Sequence, residues 1–267
     1  MRLSDLRERA GRPLIMGILN VTPDSFSDGG AHLSKKSALE HAFRLVEDGA
    51  DILDIGGEST RPGSDPVPAE EEIRRVIEVI RELAPSVGIP VSIDTSKPAV
   101  AEEAVKAGAS VINDICGLRD ERMVDVAVSY DVQTVIMHMH GTPKTLGTDM
   151  MTGDALPEIK RFLSERAEHA VAKGMKERNI ILDPGVGFGK TAEQDMAIIE
   201  NSGWFGNGYP VLIGPSRKRF LSKYYPGMDR DDATAAAAKA AADSGAGILR
   251  VHNVRRVLPY LGQDRRL

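Results

Sequence analysis

Three polar residues could together recognise a nitrogen heterocycle. Asp94, Asn113 and Asp183 each come directly after a short, largely apolar run of residues. Carboxylate and amide oxygens accept hydrogen bonds, so this set suits a ring that carries amino and N–H donors. The three residues therefore predict a pocket for a pterin or a guanine-like edge.

A second set combines an amide with basic groups, and its members lie at or shortly after the carboxyl ends of predicted strands. It consists of Asn20, Lys218, Arg250 and His252. Arginine and lysine bind phosphate-type anions, and the N-terminus of the helix expected beyond Ser216 can help to hold a negative group. A single basic residue is more often a surface charge, but the shared position of these residues predicts an anion site.

Three further motifs carry weaker signals. The segment 185–191 (GVGFGKT) is similar to a phosphate-binding P-loop, but Pro184 occupies the place of its first glycine, so the spacing fails. His138 and His140 could contribute to a zinc site, although no third ligand is evident in the sequence. Cys116 has no special partner and is predicted to be a passive small side chain.

The elements that must position these residues alternate regularly along the chain. Apolar strands are predicted at 14–20, 51–55, 91–93, 110–112, 133–137, 180–182, 211–213 and 247–251. Helices are predicted at 36–48, 69–84, 98–108, 123–130, 156–173, 192–201 and 232–244, with a last one from about 254.

Eight strand–helix units in a chain of 267 residues match an α/β fold of the TIM (β/α)8 barrel type in count and size. In such a barrel the loops after the strands meet at one face, which would bring both sets of polar residues together. A doubly wound open sheet is the alternative, but it would have fewer strands and a Gly-rich first turn. No linker divides the chain, so we predict one domain over residues 1–267.

Composition excludes several classes of function. The net charge of −5 and the 4% of aromatic residues argue against nucleic-acid binding. The sequence lacks the long apolar run of a membrane-spanning helix, and its charged amino terminus lacks the apolar region of a signal peptide. A single cysteine suits a reducing compartment, so we expect a cytoplasmic protein.

The motifs taken together resemble the signature of the dihydropteroate synthase family, in the family's order and over nearly the whole chain. The matching segments are 17–30 (GILNVTPDSFSDGG), 54–63 (DIGGESTRPG), 94–98 (DTSKP), 113–115 (NDI), 137–141 (MHMHG), 182–190 (LDPGVGFGK), 216–218 (SRK) and 250–252 (RVH). The resemblance implies a TIM-barrel transferase of folate biosynthesis. Such an enzyme joins 6-hydroxymethyl-7,8-dihydropterin pyrophosphate to p-aminobenzoate, with release of pyrophosphate.

The resemblance also implies a role for each matching residue in binding the pterin. Asp94, Asn113, Asp183 and Lys218 are expected to be its ligands, and Arg250 is expected to stack on the ring. Among these, Asp94 and Lys218 are also expected to act in catalysis.

The anion and the second substrate receive their own residues from the same resemblance. Asn20, Arg250 and His252 are expected to bind pyrophosphate, with Mg²⁺ as the cofactor that bridges Asn20 to the anion. Phe188 and Lys218 are expected to line the p-aminobenzoate site.

Two loops are expected to complete the site around both substrates. Phe26 and Asp28 lie on the first loop, and Thr60, Arg61 and Pro62 lie on the second. Asp28 and Arg61 are expected to be catalytic, and Thr60 is expected to bind substrate. The resemblance further implies a homodimer, and the composition argues against a nucleic-acid or membrane partner.

Three residues depart from the pattern of the family. His140 stands where glutamine is frequent, and Asn253 stands where aspartate is usual. Arg219 replaces a serine that many members place beside the p-aminobenzoate carboxylate, and we expect Arg219 to bind that carboxylate instead. These changes bear on affinity more than on activity.

The expected chemistry needs no protein nucleophile, which agrees with the lack of an evident Ser–His or Cys–His pair in the sequence. Magnesium, Arg250 and His252 can neutralise the charge that grows on pyrophosphate as it leaves. Asp94 can stabilise the resulting pterin cation, which the amine then attacks. A folate-dependent methyltransferase and a non-catalytic pterin-binding protein are the two alternatives, and the former needs neither the two loops nor the Arg250–His252 anion site.

Overall fold

Every predicted apolar segment forms a strand in the structure, a computed structural model that describes residues 2–21, 30–59, 66–142, 145 and 148–262. The strands are β1 Leu14–Asn20, β2 Ile52–Gly56, β3 Val91–Asp94, β4 Val111–Asp114, β5 Gln133–Met137, β6 Ile180–Asp183, β7 Leu212–Ile213 and β8 Ile248–Val251. Most of these residues are buried, as expected of strands that are covered on both faces.

Helices separate the strands and form the outer layer. They are α1 Leu3–Ala10, α2 Gly30–Glu47, α3 Ala69–Leu83, α4 Pro98–Lys106, α5 Glu121–Ser129, α6 Ala155–Ala172, α7 Ala192–Glu200, α8 Leu221–Tyr224, α9 Arg230–Asp243 and α10 Val254–Val257. Short 3₁₀ turns occupy Glu177–Asn179, Ser202–Phe205 and Leu258–Leu261. In the part of the chain that the structure describes, no helix is long and apolar enough to cross a lipid bilayer.

The sheet closes on itself, which confirms the predicted barrel and rules out the open sheet. All pairs are parallel, and the strand order is β6-β5-β4-β3-β2-β1-β8-β7. A parallel bridge between Leu182 and Val211 then joins β6 to β7. The backbone N–H of Leu182 also donates to the carbonyl of Pro210 at 2.9 Å.

The amino-terminal half of the barrel interior is apolar. Its buried cluster consists of Leu14, Met16, Ile52, Val111, Val135, Ile181, Leu212, Ile248 and Leu3. Because side chains alternate along a strand, the residue two positions further on faces the same interior. At that next level β2, β4, β6 and β8 present Asp54, Asn113, Asp183 and Arg250, so the polar residues form one layer above an apolar one.

Helix α1 is the one α-helix of the described residues for which the sequence analysis made no prediction. Leu3 is 3% exposed and packs into the apolar cluster with Leu6 and Ala10 beside it. The backbone N–H of Leu3 donates to Oε1 of Gln133 at 3.1 Å. Leu3, Leu6 and Ala10 recur at helical spacing, but this pattern is hard to recognise among the charged residues of the amino terminus. This helix covers the end of the barrel opposite the polar layer.

Candidate active site

Arg250 lies at the centre of the polar layer and connects three strands. Its Nε donates to Oδ2 of Asp54 at 2.6 Å, and its Nη2 donates to Oδ2 of Asp94 at 2.5 Å. Burial alone would lower the pKa of Arg250, but the two carboxylates raise it above its ordinary value. The guanidinium is thus a permanent charge with its plane fixed between β2, β3 and β8.

Asp54 anchors this network and has no exposed surface. Its Oδ2 accepts from Nδ2 of Asn113 at 3.0 Å as well as from Arg250. Because a carboxylate only accepts, the Asn113 amide must turn its nitrogen to Asp54 and leave its oxygen free. Asp54 therefore orients both Arg250 and Asn113.

Asp183 presents a free acceptor to the same space. Its Oδ1 accepts from the backbone N–H of Gly185 at 2.7 Å, and its Oδ2 forms no hydrogen bond with any residue that the structure describes. Burial raises the pKa of Asp183 to about 6, although Gly185, Lys190, Arg250 and Lys218 all favour the charged form. Burial likewise raises the pKa of Asp94.

One cavity brings the first polar set together with two members of the second, Lys218 and Arg250. It is lined by Asp94, Asn113, Ile115, Met137, Asp183, Val186, Phe188, Gly214, Lys218 and Arg250. The apolar members can contact the faces of a flat ring, and the acceptors can bind its edge. The predicted pterin ligands Asp94, Asn113, Asp183, Lys218 and Arg250 thus meet at one place.

Lys218 and Phe188 are half-buried and lie together in the lining of this cavity. The Nζ atom of Lys218 lies 4.2 Å from the centre of the Phe188 ring, a cation–π contact. Burial and the charge of Arg250 lower the pKa of Lys218 to about 8, although Asp195, Asp183 and Asp94 counteract the shift. Lys218 is therefore a cation at neutral pH that can lose its proton at mildly alkaline pH.

The loop 183–190 is held from within by Lys190, which the sequence analysis did not identify. Its buried Nζ donates to the carbonyls of Gly185, Phe188 and His138, at 2.8, 3.0 and 3.2 Å. Gly185 has a φ of +71°, and a Cβ there would lie 1.9 Å from the carbonyl oxygen of His138. Lys190 thus fixes the backbone of its own loop. This structural role agrees with the departure from P-loop spacing in the sequence.

His252 lies beside this cavity rather than in its lining. Its ring Nδ1 lies 2.9 Å from Oγ of Ser216, and its backbone N–H donates to the same Oγ at 3.2 Å. Burial, together with Arg250 and Arg217, lowers the pKa of His252 to about 3. In the free chain His252 is therefore neutral at physiological pH and can offer an uncharged N–H donor, while its expected role at the leaving pyrophosphate stays a prediction.

A recess on the outer side of the barrel also reaches His252. It is lined by His41, Arg44, Leu45, Asp48, Arg217, His252 and Asn253. Asn253 donates from Nδ2 to Asp231 at 2.8 Å and accepts at Oδ1 from the backbone N–H of Arg256 at 3.0 Å. Asn253, one of the departures from the family pattern, therefore caps α10 and connects it to α9.

The remaining predicted site residues lie in different places. Asn20 ends β1 and is half-buried, and its side chain forms no hydrogen bond with any residue that the structure describes. Arg219 is exposed and does not line the cavity. The two predicted loops, with Phe26, Asp28, Thr60, Arg61 and Pro62, lie outside the described residues.

The zinc alternative for His138 and His140 finds no support in the described part of the chain. The His138 ring packs edge-on against Phe162 with centroids 5.0 Å apart, while Nε2 of His140 lies 3.2 Å from Oδ1 of Asp149. Among the described residues, no three His, Cys, Asp or Glu side chains cluster as metal ligands would. Burial raises the pKa of the Cys116 thiol to about 11, which suits the predicted passive role.

Comparisons with known proteins agree with this geometry. A model of the family described as "Pterin binding enzyme" matches residues 16–252. The dihydropteroate synthase of Bacillus subtilis is 46% identical over 250 residues, which cover 92% of this chain and 85% of that protein.

Solved structures agree as well. A structure of the Xanthomonas albilineans dihydropteroate synthase with 4-aminobenzoic acid has a TM-score of 0.87 and 43% identity, and the match covers 94% of this chain and 91% of that one. Another structure of that enzyme, in complex with 7,8-dihydropteroate, has a TM-score of 0.83 and 41% identity with the same coverage. The resemblance noted in the sequence is thus confirmed, and the chain belongs to the dihydropteroate synthase family of pterin-binding enzymes.

Proposed function

We propose that this chain transfers the pterin group of 6-hydroxymethyl-7,8-dihydropterin pyrophosphate to p-aminobenzoate, giving 7,8-dihydropteroate and pyrophosphate. The observation that carries the proposal is the cavity in which free acceptors and fixed cations meet. Membership of the family supports the overall reaction. The roles of the individual residues are inferred from their geometry.

The pterin edge would be bound by three acceptors. Oδ2 of Asp183, the amide oxygen of Asn113 and the carboxylate of Asp94 face the same cavity. A pterin carries an exocyclic amino group and ring N–H donors, so each acceptor can take one of them. Because Asp54 and Gly185 already hold two of these side chains, little ordering remains when the ring binds.

The reaction itself would break one bond and form one. The C–O bond to pyrophosphate breaks with its electron pair leaving on oxygen, and the electron-rich dihydropterin takes up the positive charge at its exocyclic carbon. The amine of p-aminobenzoate donates its lone pair to that carbon and then loses a proton to solvent. Asp94 provides a nearby negative charge for the cation, in a position fixed by Arg250.

The second substrate would bind towards the mouth of the cavity. Phe188 offers an aromatic face, Lys218 lies over that face, and Arg219, the next residue in the chain after Lys218, is exposed. We infer that Lys218 or Arg219 binds the carboxylate of p-aminobenzoate. Thr60, Arg61 and Asp28 stay predictions for the completed site.

The donor set also suits magnesium. Asn20 offers a side-chain oxygen that no described residue engages, and Mg²⁺ is commonly held by one or two protein oxygens together with substrate phosphates and water. When bound, the ion would withdraw charge from the leaving pyrophosphate. Arg250 adds a fixed positive charge, and His252 adds a neutral hydrogen bond.

One assay separates the proposed reaction from its alternatives. Release of pyrophosphate is measured with the pterin pyrophosphate alone, with p-aminobenzoate alone and with both, and the pterin product is identified by mass. The proposal predicts release coupled to dihydropteroate when both are present. A methyltransferase or a pure pterin-binding protein would release no pyrophosphate, although either could bind the pterin.

We further propose a homodimer in the cytoplasm. The dimer rests on the family alone, and the compartment on the single cysteine, Cys116. Light scattering during gel filtration measures the mass of the assembly, and a monomer at micromolar concentration would contradict the dimer. Fractionation of cells with an antibody to the chain tests the compartment.

A further inference from the structure

The barrel places a buried hydroxyl directly beside His252. The pairing of Ile213 with Leu249 in β7 and β8, continued by equal steps along both chains, brings Ser216 next to His252. Ser216 is 6% exposed, and its Oγ lies 3.2 Å from the backbone nitrogen and 2.9 Å from Nδ1 of His252. The two residues therefore share two contacts at one oxygen atom.

The hydrogens at these contacts can be assigned from their chemistry. A backbone N–H can only donate, so Oγ of Ser216 must accept from the backbone of His252. Among the described residues, Oγ has no further acceptor for its own hydrogen within hydrogen-bonding distance. Oγ could also accept from a protonated Nδ1, but its own hydrogen would then have no acceptor among the described residues. An unprotonated Nδ1 accepts that hydrogen at 2.9 Å, so this arrangement satisfies both buried groups.

A neutral imidazole carries one hydrogen, and the bond made at one nitrogen decides which nitrogen holds it. With Nδ1 accepting from Ser216, the hydrogen lies on Nε2. We propose that Ser216 is a positioning residue that holds His252 in its Nε2–H form and so makes it a neutral donor to the phosphate of the pterin substrate.

This role depends on the proposed function, in which His252 contacts pyrophosphate, and it adds a constraint to that function. The positive charges of Arg250 and Arg217 near the ring, together with its burial, disfavour the imidazolium. A neutral Nε2–H group is a poor acid, so His252 would bind the leaving pyrophosphate without protonating it. The negative charge on the leaving group must then be balanced by Arg250 and by the metal ion.

The first test is spectroscopic and needs no substrate. The free protein is labelled with ¹⁵N at its six histidines, and two-bond ¹⁵N–¹H correlations identify the protonated ring nitrogen of each. His252→Gln removes one set of signals and so assigns His252. The proposal expects Nε2–H in the wild type and in Ser216→Thr, which keeps the hydroxyl, and a mixture of both tautomers in Ser216→Ala. A wild-type spectrum with hydrogen on Nδ1, or an unchanged spectrum in Ser216→Ala, would overturn it.

The second test measures binding of magnesium pyrophosphate by calorimetry. Affinity should fall about tenfold in Ser216→Ala, the effect of one weakened hydrogen bond to a charged group. It should be retained in Ser216→Thr and in Ser222→Ala, a matched change of an exposed serine on α8 whose hydroxyl donates to the carbonyl of Arg219. Affinity for 6-hydroxymethylpterin should be the same in all of them, which also reports that each variant is folded.

The two tests separate failure of this proposal from failure of the proposed function. Absence of pyrophosphate binding in the wild type would contradict the anion site itself, while the tautomer would still be read from the spectrum. Equal pyrophosphate affinity in Ser216→Ala and the wild type, with the tautomer changed, would show that His252 does not act as the donor.

Discussion

Two groups of residues at and beside the cavity are built differently. The acceptor side, which we define as Asp54, Asn113 and Asp183, is buried, with at most 5% of each residue exposed. Its members are held by Arg250 and by the backbone of Gly185 before any ligand arrives. The cation side, which we define as Asn20, Lys218, Arg250 and His252, is half-buried, and the side chain of Asn20 has no described partner.

This difference indicates which substrate group binds to a finished site. A ring with fixed donors gains most from acceptors that are already in place, because their ordering cost was met during folding. A flexible pyrophosphate can be bound by an open set of donors, provided that a metal ion joins it to the protein. The acceptor side should therefore recognise the pterin without magnesium, whereas the cation side should need it.

Removal of the metal should have the largest effect on turnover, and it should affect only the cation side. In EDTA we expect turnover to fall to background and to return with Mg²⁺, because pyrophosphate and Asn20 offer the hard oxygen ligands that this ion prefers. Binding of 6-hydroxymethylpterin, which lacks the pyrophosphate, should be unchanged in EDTA. Full turnover in the chelator, or recovery with zinc alone, would contradict the magnesium assignment.

Loss of one acceptor should affect the acceptor side and leave the cation side unchanged. Asp183→Ala leaves the ring donors of the pterin without a charged partner, at a cost of roughly 1.5–3 kcal/mol, which lowers pterin affinity roughly ten- to hundredfold. Calorimetry with 6-hydroxymethylpterin measures this loss, and the affinity for magnesium pyrophosphate should change little. Unchanged pterin affinity in a folded variant would remove Asp183 from the site.

Ile181→Ala is the matched control, since Ile181 lies two residues before Asp183 on β6 and faces the same interior. It removes apolar atoms from the lower layer, so it should reduce the free energy of unfolding by about 2–5 kcal/mol. Pterin affinity measured well below its melting temperature should stay close to that of the wild type. Together, Asp183→Ala and Ile181→Ala would distinguish a loss of pterin binding from a loss of stability on the same strand.

The pH dependence of the acceptor side should have opposite signs for folding and for binding. Burial raises the pKa of Asp183 from 3.8 to about 6, so its contribution to stability is present at low pH and is lost as the pH rises through about 6. Pterin affinity should rise over the same range, because the charged carboxylate is the better acceptor. Denaturation and calorimetry at pH 4 to 7 measure both trends, and Asp183→Asn should reduce the slope of each, while Asp94, Asp114 and Asp195 continue to titrate in the same range. If stability and pterin affinity changed in the same direction with pH, the assignment of these trends to Asp183 would be contradicted.

Most of the barrel could be predicted from the sequence because its strands are uniformly apolar and its helices are periodic. The bounds differ where polar residues continue an element. Asp94, Asn113 and Asp183 belong to their strands instead of following them, and α2 begins at Gly30 rather than at 36. The one-domain prediction for residues 1–267 stays a prediction.

The candidate site could be predicted only in part, since a sequence shows residue types and not their partners. Asp54 can be recognised as a polar residue at the end of the second predicted strand, but the sequence does not show that it orients Arg250 and Asn113. Lys190 belongs to the P-loop-like segment and to the family motif 182–190, but neither pattern shows that its ammonium group binds three carbonyls. Ser216 gains its importance from the register of β7 and β8, which no local pattern reveals. The side chains that could bind substrate can be recognised in the sequence, but the residues that position those side chains cannot.

The smallest effect should come from Arg219, an exposed residue that directly follows Lys218 of the cation side. If Arg219 binds the carboxylate of p-aminobenzoate, Arg219→Ser should raise the KM for that substrate by up to about fivefold, since an exposed ion pair contributes no more than about 1 kcal/mol. The KM for the pterin pyrophosphate should stay the same, and with p-toluidine, which lacks the carboxylate, the variant and the wild type should behave alike. Arg161→Ser, at another exposed arginine on α6, is the control for a general loss of charge. An equal change with both amines would mean that Arg219 acts on the shape of the site instead of on the carboxylate. A rise in KM well above tenfold with p-aminobenzoate alone would mean that Arg219 is enclosed when the substrate binds. The cation side would then be as fully ordered in the complex as the acceptor side already is in the free chain.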